Sequence, residues 1–172
     1  PEPGERILDM CAAPGGKSTH IAALQGDDGA VYAMDKHPGK IHLIADNAAR
    51  LGLSSLRPLC GDSLLPPLRG PFSRILADAP CSSLGTLRRH PELKWRLTEA
   101  DIRANQRLQT ALLRQAVVLC ENKGVIVYSV CTFTAEETDG VIETVTGDGR
   151  VVREDGPSWL DPWKTKTGTY RT

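Results

Sequence analysis

The chain has 172 residues, of which 40% are hydrophobic and 24% charged, and its 21 basic side chains balance its 21 acidic ones. That composition is typical of one globular domain with a single core. The net charge of zero excludes a general electrostatic attraction to nucleic acid or to an anionic membrane, and no apolar run approaches the length of a membrane span.

The five cysteines form an odd set with no Cys-x-x-Cys pair and no histidine at ligand spacing. We therefore expect neither a disulfide framework nor a metal site. Thiols that stay reduced are typical of cytoplasmic proteins, so the sequence favours that location. The cysteines are Cys11, Cys60, Cys81, Cys120 and Cys131.

In chain order, short runs rich in Val, Ile and Leu alternate with helical patterns. The runs predict strands at residues 6–10, 31–35, 56–60, 74–78 and 125–130. Between them lie two helical stripes: Ile41, Ile44, Ala45 and Ala48, ended by Gly52, and Ile102, Leu108, Leu112, Leu113, Ala116, Val117 and Cys120, bounded by Thr98 and Gly124. The alternation predicts an α/β fold with a doubly wound, mostly parallel sheet, which binds its ligand at the carboxyl ends of the strands.

The segment DMCAAPGGKSTHIA, residues 9–22, has two interpretations. Its GKST end, residues 16–19, resembles the end of a phosphate-binding P-loop, and RILADAP at 74–80 resembles the magnesium-binding strand of P-loop proteins. A P-loop, however, needs a glycine where Cys11 stands, and Pro14 has no amide to donate to a phosphate. The sequence favours the alternative, a nucleoside-binding turn between a strand and a helix.

Three acidic residues support the nucleoside interpretation. Asp35 ends the second predicted strand, Asp62 follows the third and Asp78 ends the fourth. Each acid alone is better explained as a helix cap or a turn residue. Three at one edge suit ribose hydroxyls, an exocyclic amine and a positive centre, whereas carboxylates without a metal repel a triphosphate. This combination predicts a site for S-adenosyl-L-methionine.

Two cysteines lie just beyond predicted strand ends, at the same edge. Cys81 is in DAPCSSLG, residues 78–85, and Cys131 is in YSVCTFTAEE, residues 128–137. Because loops at this edge carry the chemistry of such folds, both are candidate reactive residues. Two other cysteines, in a strand run and a helical stripe, are expected to be buried and inert: Cys60 and Cys120.

The residues after Cys131 predict a helix that opens at Thr134. The spacing from Thr134 to Glu137 is that of a capping box. A helix N-terminus favours negative charge, so this helix would stabilise the Cys131 thiolate, the nucleophilic form of the side chain.

Four motifs in this order resemble the bacterial Sun/Fmu (RsmB-like) RNA cytosine-5 methyltransferases. They are CAAPGGK at 11–17, DAPCS at 78–82, LRRHPELKW at 87–95 and the cysteine of YSVCT, Cys131. The resemblance implies a Rossmann-like methyltransferase fold that depends on S-adenosyl-L-methionine. It also implies RNA as the partner, most simply 16S ribosomal RNA, methylated at cytosine C5. Methylation of tRNA or another RNA, or a silent RNA-binding or cofactor-binding module, are the alternatives.

The resemblance also implies roles for single residues. Cys131 would be the nucleophile that adds to cytosine C6, and Cys81 would assist release of the product. Asp78 would bind the N3/N4 edge of the base and lie near the methyl donor. The turn at 11–17 would hold the methionine part, Asp35 the ribose and Asp62 the adenine, with Lys17 paired to the methionine carboxylate or placing the target. The turn consists of Cys11, Ala12, Ala13, Pro14, Gly15, Gly16 and Lys17.

The basic segment LRRHPELKWR, residues 87–96, is either a solvated turn or a contact to RNA phosphates. Trp95 in this segment is equally compatible with a place in the core. A cytosine must leave its stack to reach a cysteine, which favours a single-stranded or looped RNA. The candidate RNA-binding residues are Arg88, Arg89, His90 and Lys94.

Residues 1–145 are expected to form the catalytic domain, and 146–172 an irregular segment of that domain with one edge strand at 150–154. Relative to the family, Val130 replaces a threonine beside the candidate nucleophile. An RNA-binding region before residue 1 and a final strand hairpin after residue 172 are expected to be missing. We expect a monomer.

Overall fold

Five parallel strands form a sheet in the order β3-β2-β1-β4-β5. The structure, a computed structural model, describes residues 1–171. The chain builds β2 and β3 on one side of β1 and then β4 and β5 on the other, so the order reverses between β1 and β4. Doubly wound folds bind ligands at that point. The strands are β1 (Arg6–Asp9), β2 (Ala30–Asp35), β3 (Leu56–Cys60), β4 (Phe72–Asp78) and β5 (Cys120–Ser129).

Helices follow β1, β2, β4 and β5 along the chain, whereas residues 61–71 join β3 to β4 without a helix. They are α1 (Gly16–Leu24), α2 (Pro38–Arg50), α3 (Leu93–Arg96), α4 (Glu99–Leu119) and α5 (Asp139–Thr146), with 3₁₀ helices at Leu84–Thr86 and Ser158–Trp163. The described residues form two compact units. The first comprises Pro1–Ala79 and Leu112–Ser129, and the second Pro80–Ala111 and the residues from Val130 onwards.

The core of the first unit lies around β1 and β2. Leu8 and Val31 are fully buried because the central strands of a parallel sheet are covered on both faces. Ile44 and Ala48 of α2, four residues apart, belong to the same core, whereas Ala45 is exposed. The apolar stripe of α2 is therefore narrower than the sequence predicts.

The five predicted strands are confirmed, and only the start of the last one differs clearly. β5 begins at Cys120, directly after the end of α4 at Leu119. Phe72 pairs with Cys120 but Arg74 pairs with Val125, so the residues between Cys120 and Val125 bulge out of the ladder. The placement of Cys120 in a helix was therefore wrong.

The second unit contains α5, whose Val141 and Val145 are buried. The edge strand predicted at 150–154 is wrong, since these residues are irregular. Val152 is 79% exposed, so apolar burial does not compensate the entropy of ordering a strand here. Among residues 1–171, no helix combines the length and the apolar character needed to cross a membrane.

Candidate active site

The loop between β1 and α1 in the first unit is shaped by Gly15. Its φ of 104° is in the left-handed region, and a Cβ there would lie 3.1 Å from the Cα of Ile44 in α2. The position therefore requires glycine. At Gly16, by contrast, a Cβ would meet nothing within 4 Å, so the loop is open on that side. The first amides of α1 have no acceptor within the helix and are available to a ligand.

Asp9, at the end of β1, holds the start of this loop. Its carboxylate is 1% exposed and accepts hydrogen bonds from the Ser18 hydroxyl, at 2.6 Å, and from the Cys11 amide, at 3.3 Å. Burial raises the pKa of Asp9 to about 6, against the opposing effect of the Ser18 hydrogen bond. Asp9 was not among the site residues predicted from the sequence, although its position at the end of an apolar strand could have indicated it.

Cys11 is half-buried in the same loop. Burial, followed by the neighbouring carboxylates Asp9 and Asp35, raises the pKa of its thiol to about 12. Cys11 is therefore a neutral thiol at physiological pH and is not a nucleophile. Its backbone, rather than its sulfur, belongs to the candidate cofactor turn.

Asp35 ends β2 and is 8% exposed. Its Oδ2 accepts from the amide of Ala13, at 3.3 Å, and its Oδ1 from the amide of His37, at 2.9 Å. Each carboxylate oxygen has two lone pairs, so these bonds orient the group and leave it able to accept from a hydroxyl. The position and the chemistry fit the predicted ribose contact.

Asp62 follows β3 and is exposed. Its Oδ1 accepts from the amide of Leu64 at 2.9 Å, which is the turn role that the sequence analysis gave as the alternative. The next residue, Ser63, is buried and donates a hydrogen bond to the carbonyl of Met10. This bond brings the end of β3 to the loop that follows β1.

Lys17 and Asp78 form an ion pair between Nζ and Oδ2. Their side chains are 55% and 31% exposed, respectively, so water screens the pair and either group can exchange its partner for a ligand. Asp78 ends β4 and Lys17 lies in the first turn of α1. The structure thus places the two residues on either side of the point where the strand order reverses.

In the second unit, the Sγ atoms of Cys81 and Cys131 lie 3.2 Å apart. The amide of Cys131 also donates to the Sγ of Cys81 at 3.3 Å. Burial, followed by the hydrogen bond to Cys131, raises the pKa of the Cys81 thiol to about 11. Cys131 is exposed, so of the two sulfurs it is the more accessible to a substrate.

Direct hydrogen bonds connect the loop that contains Cys81 with the loop that contains Cys131. The hydroxyls of Ser82 and Thr132 are 2.8 Å apart, and the amide of Gly85 donates to the carbonyl of Cys131 at 3.0 Å. A Cβ on Gly85 would lie 2.9 Å from that carbonyl oxygen, so the close approach requires glycine.

Glu137 is a second link between the cysteine loops, a role that its capping-box spacing does not predict. It is fully buried, and its Oε1 accepts from the amide of Ser82 and from Nε2 of Gln109, both at 2.9 Å. Its Oε2 accepts from the Thr134 hydroxyl at 3.0 Å. The capping-box spacing thus gives a side-chain hydrogen bond and not a helix start.

The prediction of a helix opening at Thr134 is therefore wrong. α5 begins at Asp139, eight positions after Cys131, and residues 135–138 form a turn. A helix end acts on charges within about its first turn, so α5 does not supply the stabilisation expected for the Cys131 thiolate. The expectation that Cys60 is buried is also wrong, since it is exposed at the end of β3.

The basic segment of residues 87–96 is at the surface. The side chain of Trp95 is 83% exposed, which excludes its place in the core, and Nζ of Lys94 lies 5.3 Å from the centre of its ring. An exposed aromatic ring beside cations suits stacking with a base and contact with phosphates. The predicted RNA-binding residues are all exposed: Arg88, Arg89, His90 and Lys94.

Over residues 1–171 the chain matches the family described as 16S rRNA methyltransferase RsmB/F. The chain belongs to the RsmB/F family. A probable ribosomal RNA small subunit methyltransferase B of Synechocystis is 43% identical over 165 residues, which cover 94% of this chain and 37% of that protein. The human tRNA (cytosine(72)-C(5))-methyltransferase NSUN6 is 44% identical over 153 residues, 81% of this chain and 32% of that protein.

A solved structure has the same fold. The crystal structure of NSun6 from Pyrococcus horikoshii with SFG superposes with a TM-score of 0.80 and 34% identity, covering 92% of this chain and 42% of that one. The chain spans about a third of the length of the curated relatives it matches. Membership of the RsmB/F family confirms the predicted resemblance to RsmB-like methyltransferases and the expected Rossmann-like α/β fold, and it excludes the P-loop interpretation.

Proposed function

We propose that this chain carries the catalytic centre of an RNA cytosine-5 methyltransferase that uses S-adenosyl-L-methionine and acts on 16S ribosomal RNA. The observation that carries the proposal is the pair of sulfurs, Cys81 and Cys131, 3.2 Å apart in the loops that follow β4 and β5 in the chain. The family description and the Synechocystis relative both name ribosomal RNA.

The residues of the first unit fit the cofactor. The amides at the start of α1 and the cation of Lys17 suit the methionine carboxylate, and the buried carboxylate of Asp35 suits the ribose hydroxyls. Asp62 is assigned to the adenine part. The open side of the loop at Gly16 leaves room for a ligand. When bound, S-adenosyl-L-methionine supplies an electrophilic methyl group.

The two cysteines compensate for the low reactivity of cytosine at C5. C5 of cytosine is a poor nucleophile, and the addition of the Cys131 thiolate to C6 makes C5 enamine-like and able to attack the methyl group. The C5 proton must then leave, and the bond between C6 and the Cys131 sulfur must break. Cys81 is assigned to this release: once Cys131 is bonded to C6, the small thiolate fraction of Cys81 accepts the C5 proton, and the electrons of the C5–H bond expel the Cys131 thiolate. Asp78 is assigned to the N3/N4 edge of the base.

The exposed basic segment would contact RNA phosphates through Arg88, Arg89, His90 and Lys94, with Trp95 available for stacking. Such contacts position an RNA and carry little sequence information, so they do not distinguish ribosomal RNA from tRNA. The human relative acts on tRNA according to its name, which makes tRNA the second candidate substrate.

The proposal is tested by transfer of a labelled methyl group from S-adenosyl-L-methionine to 16S ribosomal RNA and, in parallel, to tRNA. Nuclease digestion and mass spectrometry identify the modified nucleoside. We expect 5-methylcytidine in the ribosomal RNA. Label in tRNA alone would move the substrate to tRNA, and cofactor binding without any transfer would favour the silent module.

A further inference from the structure

The hydroxyl of Ser83 lies beside both cysteine sulfurs. Its Oγ is 3.3 Å from the Sγ of Cys131 and 3.9 Å from the Sγ of Cys81. All three residues are in the second unit. Neither the sequence motifs nor the family match gives Ser83 a role.

The backbone conformation at position 83 favours glycine, so the presence of a serine there needs an explanation. Its φ of 59° and ψ of 21° are in the left-handed region, which is unfavourable for a residue with a Cβ and free of cost for glycine. Its carbonyl accepts from the amide and the hydroxyl of Thr86, both at 2.8 Å, and so opens the 3₁₀ helix. A glycine would serve that turn better, so the turn does not explain the serine. Non-glycine residues held in this region cluster at functional sites.

We propose that Ser83 is a positioning residue that donates a hydrogen bond from its hydroxyl to the Cys131 thiolate. This inference rests on the proposed function, in which Cys131 is the nucleophile. A serine hydroxyl both accepts and donates: that of Ser83 accepts from the neutral Cys131 thiol and donates to the carbonyl of Cys81 over a long 3.4 Å. When the thiol ionises, the hydroxyl gives up this weak bond and donates to the Cys131 thiolate instead. A hydrogen bond to a charged group is about twice as strong as one between neutral groups, so the net effect favours the thiolate.

Cys81 is the titratable group in contact with the Cys131 sulfur among the described residues of this unit. Its half-buried thiol holds its proton at physiological pH, so it adds no negative charge beside the Cys131 thiolate. Ser83 contacts both sulfurs and has no charge of its own, so it stabilises the thiolate without adding a competing titration.

The test is the pH dependence of Cys131 alkylation by iodoacetamide in the wild type, Ser83→Gly and Ser83→Ala, followed by peptide mass spectrometry. Both variants lose the hydroxyl, but only glycine suits the left-handed backbone. We expect the midpoint of the Cys131 profile to rise by roughly half to one pH unit in both variants. Alkylation should be slower below the midpoint and equal or faster on the plateau, because a thiolate of higher pKa is the stronger nucleophile.

Alkylation of Cys60, which is exposed in the first unit, is the internal reference and should not change. An unchanged midpoint in both variants would overturn the inference, and so would a shift in Ser83→Ala alone, which would indicate a backbone effect. Alkylation rates that changed in the same direction above and below an unshifted midpoint would indicate a loosened loop and would likewise overturn the inference. The assay needs neither RNA nor cofactor, so absence of methyl transfer in the wild type would contradict the proposed function and not the role of Ser83.

Discussion

The sulfur atoms of Cys81 and Cys131 are 3.2 Å apart although 50 positions separate them in the sequence. They differ in environment: Cys81 is half-buried with a raised pKa, and Cys131 is exposed. The difference suits two roles in one reaction, those of an accessible nucleophile and of a thiol that transfers a proton. Their separation is maintained by the hydrogen bonds of Ser82, Gly85 and Glu137 and not by a helix N-terminus.

Gly85 is expected to set how closely the two cysteine loops approach. In Gly85→Ala the new Cβ would lie 2.9 Å from the carbonyl oxygen of Cys131, so the loops must separate. A displacement of this kind costs about tenfold to a hundredfold in rate, which single-turnover methyl transfer measures. Gly39→Ala is the matched control, since a Cβ there meets nothing within 4 Å. Equal rates in both variants would contradict this account.

Removal of the Glu137 carboxylate should destabilise the second unit. Glu137→Ala leaves the buried amide of Ser82 and the side chain of Gln109 without this acceptor, and we expect a loss of about 3 kcal/mol in unfolding free energy. Glu137→Gln retains an oxygen for these donors and should lose less. Thr134→Val removes only the bond to Oε2 and is the control. Urea unfolding measures all three, and an alanine variant within about 0.5 kcal/mol of wild type would argue against this role.

The buried carboxyl of Asp9 should make stability depend on pH. Its pKa in the folded chain is raised from 3.8 to about 6, so the folded state binds the proton more tightly than the unfolded state. Stability from this group is therefore fully present below the unfolded pKa and is lost as pH rises through the folded pKa. Relative to Asp9→Asn, the unfolding free energy of the wild type should fall by about 3 kcal/mol between about pH 3 and about pH 7.

Urea unfolding at several pH values measures this difference. Asp28→Asn, at an exposed carboxyl, is the control and should run parallel to the wild type. If the difference in unfolding free energy between the wild type and Asp9→Asn stayed constant over the whole pH range, this result would contradict the burial of an ionisable Asp9.

Lys17 and Asp78 form one ion pair, but we expect their substitutions to affect different kinetic parameters. Lys17→Met should raise KM for S-adenosyl-L-methionine, by about tenfold, while Asp78→Asn should mainly lower kcat. Both side chains are partly exposed, so the stability should change by less than about 1 kcal/mol in either variant. Steady-state kinetics with each substrate varied measures the two effects, and identical losses in KM and kcat would indicate only a shared structural role.

The fold followed from the sequence because its strands are buried and regular. The predicted strand at 56–60 is β3, and the three acids Asp35, Asp62 and Asp78 lie at or just after strand ends, as expected. Buried parallel strands appear in the sequence as short apolar runs. A chain that alternates such strands with helices can form only a few sheet topologies.

The supports of the site did not follow from the sequence, because they depend on contacts distant in the chain. Glu137 has the spacing of a capping box with Thr134, yet its carboxylate is used by Ser82, which is 55 positions away. Similarly, a serine in a left-handed turn at position 83 shows no local pattern that sets it apart. Tertiary hydrogen bonds override such local signals.

The proposed reaction divides two roles between Cys81 and Cys131. Cys81→Ala and Cys131→Ala are each incubated with S-adenosyl-L-methionine and an RNA helix-loop substrate, and the products are run on a denaturing gel. Cys81→Ala should attack the base but release it poorly, and so give a shifted protein–RNA band, whereas Cys131→Ala should give none. A band in Cys131→Ala and none in Cys81→Ala would contradict the account and reverse the two roles.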